Sequence, residues 1–72
     1  MISNANTAKQ ISNLMLDILT RLEESVLTVE QACPTNEFEE YRHSIAHILG
    51  RVLLVLNPLY QQHPSLKPPG FE

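Results

Sequence analysis

The chain has 72 residues, a single cysteine, and eight acidic against five basic side chains, giving a formal net charge of −3. A chain this short buries only about 60% of the surface its unfolded form exposes, and one cysteine excludes an internal disulfide framework, so extra stability has to come from a metal or a partner subunit. With no basic run, the phosphate-neutralising surface that nucleic-acid binding requires is missing, and no nucleic-acid partner is expected.

Residues 1–13 are polar, carry Lys9 and lack an apolar h-region, so they do not read as a secretory signal, and the expected setting is the reducing cytoplasm. Ser3, Asn4, Asn6 and Thr7 offer side-chain oxygens that can cap free backbone amides, which places a helix start at about residue 5. From there Ala8, Ile11, Met15, Ile18, Leu22, Ser25, Val29 and Ala32 recur at threes and fours, the spacing of one helical stripe. Leu14, Leu19 and Val26 widen that stripe. Polar residues such as Asn13, Asp17, Arg21 and Glu24 fall on the other side, with Asp17 and Arg21 spaced for a surface ion pair. Pro34 ends this first helix at about residue 32, because it cannot donate to the ladder and pushes Cys33 out of helical geometry.

A second helix is expected over about 36–56, capped by Thr35 or Asn36, with Asn36 and Glu39 at capping-box spacing and Glu37, Glu39 and Glu40 at the positive end of its dipole. Phe38, Tyr41, Ile45, Ile48, Val52, Val55 and Leu59 form one unbroken apolar seam along it. Asn57-Pro58 leaves two readings of a further turn over 57–62. Either Pro58 kinks a continuing helix, or Asn57 caps a new short one with Pro58 at its first position. The most apolar window, Ile45 to Leu59, is interrupted by His47, Gly50, Arg51 and Asn57 and falls short of the roughly 20 residues that span a bilayer, so no membrane partner is expected. Beyond His63, four helix-averse residues (Pro64, Pro68, Pro69 and Gly70) predict an extended tail over 63–72, with Leu66 and Phe71 as its large apolar anchors. Those two are expected to pack on the helices; the competing reading of the tail is a docking segment for another protein.

The fold these elements define is all-α: an antiparallel helical hairpin over residues 1–62 with a proline-rich C-terminal tail. Two helices touching along one line do not cover stripes this wide, and Leu16, Leu27 and Leu54 project outside the stripes altogether. A twofold homodimer closing a four-helix bundle is expected to cover them using one surface twice; the alternative is a monomer whose tail folds back over the exposed apolar area. The interface is expected to use Ile11, Met15, Ile18 and Leu22 of the first helix with Tyr41, Ile45, Ile48, Val52, Val55 and Leu59 of the second.

One constellation could carry chemistry. Glu40-Tyr41-Arg42-His43 is a Glu-x-x-His step with His47 one turn on, the ligand pattern of carboxylate-bridged di-metal bundles, for which Asp17, Glu23, Glu24 or Glu30 would supply a further ligand. However, the helical projection puts Glu40, His43 and His47 opposite Phe38, Ile45, Val52 and Leu56, on a face expected to be solvated. Cys33 has no neighbouring base, no serine sits in a nucleophile motif, and two glycines make no phosphate loop. The expected function is therefore non-catalytic and cofactor-free: a small adaptor, inhibitor or regulatory subunit that binds itself and another protein. A metal-binding bundle using Glu40, His43 and His47 is the alternative.

Overall fold

The computed structural model describes residues 1–71; the last residue of the expected tail, Glu72, lies outside them. Two helices of 28 residues each, α1 (Ala5–Ala32) and α2 (Thr35–Gln62), pack as an antiparallel hairpin, followed by a single 3-10 turn at Pro64–Leu66. A 28-residue helix is about 42 Å long, and the molecule measures 45 × 19 × 15 Å. Its length is thus one helix and its cross-section two.

Local chemistry sets the boundaries. Asn4 caps α1, its side-chain oxygen accepting from the Thr7 amide at 2.9 Å. At the other end Cys33 is extended ahead of Pro34, and its amide still donates to the Val29 carbonyl at 3.0 Å. The start of α2 departs from expectation. Pro34 occupies the cap position, and its carbonyl accepts from the amides of Glu37 and Phe38 at 3.1 and 3.0 Å. Thr35 is already helical, so neither it nor Asn36 acts as the cap, and the Asn36–Glu39 capping box does not form. A proline fixed near φ −61° is pre-set for that entry, leaving a side-chain cap nothing to define. Of the two readings at Pro58, the continuous one holds: α2 runs through it to Gln62, and the His63 amide closes the helix on the Leu59 carbonyl at 2.9 Å.

The core lies at the open end of the hairpin, away from the interhelical turn. Ala8 from α1 packs with Val52, Leu56, Leu59 and Tyr60 from α2, all buried, and Leu56 and Leu59 are completely enclosed. Ile2, Ile11, Met15, Leu16, Ile18, Leu19, Leu66 and Phe71 surround them. The tail thus folds back onto the helices. It is not uniformly extended: the 3-10 turn brings Leu66 down, and Gly70, at φ +80°, permits the reversal that sets the Phe71 ring edge-on to Tyr60 with centroids 5.2 Å apart. The N-terminal arm is tied to the same end by the His63 Nε2–H, which donates to the Ile2 carbonyl at 2.6 Å. Towards the turn the packing thins to Ile45 and a Tyr41 hydroxyl that donates to Ser25 Oγ at 2.9 Å, which in turn donates to the Leu22 carbonyl.

The face α1 turns inward is rotated from the expected stripe. Ser12 is buried at 2% exposure, and Leu16, expected outside the stripe, packs on the core. Leu14, expected to widen the stripe, is 50% exposed, and Ala32 is also exposed. On this face the Tyr60 hydroxyl lies 2.6 Å from Ser12 Oγ, which satisfies the buried serine, while Ala8, Leu16 and Leu19 pack on the core beside it.

Candidate functional site

Turning α1 this way leaves two apolar surfaces, one on each side of the line where the helices meet. The first is a groove. Leu16, Leu19, Thr20, Glu23, Leu49, Leu53 and Phe71 line a hollow of about 380 Å³. A second hollow of about the same volume, lined by Glu23, Val26, Leu27, Arg42, Ile45, Ala46 and Leu49, continues it towards the turn. The two adjoin at Glu23 and Leu49, which line both, with Phe71 at the open end of the first and Arg42 at the turn end of the second. The walls are aliphatic because Leu16, Leu19 and Leu27 of α1 and Ala46, Leu49 and Leu53 of α2 recur at helical spacing along the two lips.

The second surface carries most of the expected interface residues. At 100° per residue, Ile11, Leu14, Ile18 and Leu22 of α1 and Tyr41, Ile48 and Val55 of α2 lie on the side away from the groove. Ile48 is 47% exposed, and Ile11, Ile18, Leu22, Tyr41 and Val55 are half-buried. Met15 is also half-buried, at the helix contact, whereas Ile45, Val52 and Leu59 are buried within the hairpin and are not free to meet a second molecule directly.

The polar constellation stands elsewhere. His43 and His47 are exposed on the outer face of α2, with Nε2 atoms 3.3 Å apart and rings at 84°. Glu40 is exposed on the same face, but no contact joins it to the histidines. Glu39 pairs instead with Arg42 at 2.6 Å, and the Arg42 guanidinium lies 5.9 Å over the Phe38 ring. Asp17 and Arg21 form their exposed pair at 3.2 Å. Among the described residues no group of three or more His, Cys, Asp or Glu side chains is gathered as a metal cage, and no helix is long and apolar enough to cross a membrane. Cys33 is a half-buried free thiol. Sequence reasoning missed the groove and Ser12. The groove has a signal, Leu16 and Leu27 read as one lip facing Leu49 and Leu53 of the second helix instead of as strays, whereas a lone serine carries none.

The chain matches no family model, no curated protein and no solved structure.

Proposed function

We propose that the chain is a non-catalytic protein-binding module that works as a homodimer, a small adaptor, inhibitor or regulatory subunit. The observation that carries this reading is the exposure of Ile48 and Leu14 at 47% and 50% within an otherwise half-buried aliphatic surface extending along both helices. A twofold axis through that surface buries it against its own copy and makes a four-helix bundle. Fully burying one large aliphatic side chain contributes about 1.5–3 kcal/mol, so covering the exposed half of Leu14 and Ile48 recovers roughly 1 kcal/mol each. Association costs at least about 4 kcal/mol in lost freedom. The dimer therefore has to cover Ile11, Ile18, Leu22 and Val55 as well, which makes the interface the whole stripe.

In such a dimer the groove stays open on the far side, so Leu16 and Leu27, and Leu54 on the outer face, are not covered by the second copy as the sequence led one to expect, and the groove is where we place the second partner. Its aliphatic walls and single opposed charges, Glu23 and Arg42, suit the apolar side of a protein segment better than a small polar ligand. The one free thiol fits a reducing, cytoplasmic setting. The interface is tested by mixing isotopically labelled and unlabelled chains and recording intermolecular methyl contacts by NMR. The reading expects them among Leu14, Ile18, Ile48 and Val55. Contacts confined to the groove residues Leu27, Leu49 and Leu53 would overturn the assignment of faces.

A further inference from the structure

We propose that His43 and His47 form a two-imidazole site for a borderline divalent transition ion, with Zn(II) as the type case, on the outer face of α2. The inference is independent of the dimer reading, since the pair lies on neither apolar surface.

Geometry carries it. Zinc–imidazole bonds are about 2.0–2.1 Å, so two nitrogens on a tetrahedral ion lie about 3.3–3.4 Å apart. The two Nε2 atoms are 3.3 Å apart, already at that spacing, with the side chains one helical turn from each other on a continuous helix. Without an ion, one ring donates its Nε2–H to the lone pair of the other. A bound ion takes the place of that proton and engages both lone pairs; each must then point about 35° off the line joining the nitrogens, so the rings keep their nitrogen spacing and turn about their exposed side-chain bonds. Both side chains are exposed, so no core packing has to give way.

The surroundings leave room for the remaining ligands. Gly50, three residues after His47, has no side chain, and a Cβ built there would meet nothing within 4 Å, so water or a donor from another molecule can reach the ion. Glu40 supplies a negative charge one turn before His43; Arg51, one turn after His47, opposes it. Neutral imidazole suits Cu(II), Ni(II) and Zn(II) and not Mg(II), which requires oxygen donors. The site differs from a di-metal bundle centre, whose ligands point into the core.

The test is titration calorimetry of the full chain, produced without a histidine tag and stripped with chelator, using zinc chloride as the probe. Binding is expected to saturate at no more than one ion per chain and to be absent with magnesium chloride. Loss of an outer-shell partner alone costs about 10–100-fold in metal affinity, so H43Q and H47Q should each weaken zinc binding by at least about tenfold, while H63Q leaves it unchanged. Circular dichroism of the variants checks that α2 is intact. No zinc binding by the unmodified chain, or binding that H43Q and H47Q leave unchanged, overturns the proposal.

Discussion

The hydroxyl oxygens of Ser12 and Tyr60 lie 2.6 Å apart in a buried contact between residues 48 positions apart in sequence, one on each helix of the hairpin. A buried hydroxyl left without a partner costs about 1–3 kcal/mol, whereas removing both partners together can be nearly neutral. Ser12→Ala and Tyr60→Phe should each destabilise the protein by about that amount, and the double variant by clearly less than their sum. Urea unfolding of the four proteins measures the cycle. Strict additivity would mean that the two hydroxyls are not coupled.

Leu56 and Leu54 are two positions apart on α2 and should respond in opposite ways. Leu56 is fully enclosed, and its truncation to Ala is expected to cost about 2–5 kcal/mol. A core this small rarely supplies more than about 3–5 kcal/mol in total, so Leu56→Ala should leave little or no cooperative helical signal. Leu54 is 61% exposed, and Leu54→Ala should stay within about 0.5 kcal/mol. Thermal melts followed by circular dichroism separate the two.

Pro58 interrupts the ladder of a helix that nonetheless continues for four more residues. Its missing amide leaves the Leu54 carbonyl without a helical donor, at an interior cost of about 3 kcal/mol, part of which is offset because proline also restricts the unfolded chain by about 0.4–1 kcal/mol. Pro58→Ala should therefore raise the unfolding midpoint. An unchanged or lowered midpoint would show that the half-buried proline ring contributes more through packing than the lost hydrogen bond costs.

The tail acts as a strap across the open end, through Leu66 on the core and Phe71 against Tyr60. Burying these two side chains contributes at most about 1.5–3 kcal/mol each, so truncation after Gln62 should lower the melting temperature, and Phe71→Ala should reproduce part of the loss. If truncation leaves the melt unchanged but abolishes a partner interaction, the tail is a docking segment instead.

The second helix was largely legible in the sequence, because Ile45, Val52, Leu56 and Leu59 keep helical spacing and all four are buried. The hairpin followed from Pro34 and the short turn. The rotation of α1 was not legible. Its inward line includes Ser12, which a hydrophobic pattern scores as polar, and the residue that makes that serine a good core member lies in the other helix. Taking Leu14 as inside and Leu16 as outside followed from the same omission. The entry into α2 misled for a local reason, since proline at the cap position is set by its ring and needs no side-chain oxygen. The spacing of His43 and His47 was visible, but the separation of their nitrogens depends on rotamers that spacing does not define.

The proposed homodimer, joined through the Leu14–Ile18 and Ile48–Val55 surface, is open to sedimentation equilibrium at micromolar concentration. The unmodified protein should sediment at twice the 8.2 kDa chain mass. Ile48→Asp should dissociate that dimer, because a charge buried in the interface without a partner costs several kcal/mol. A folded, cooperatively melting species at 8.2 kDa for the unmodified chain would rule the dimer out.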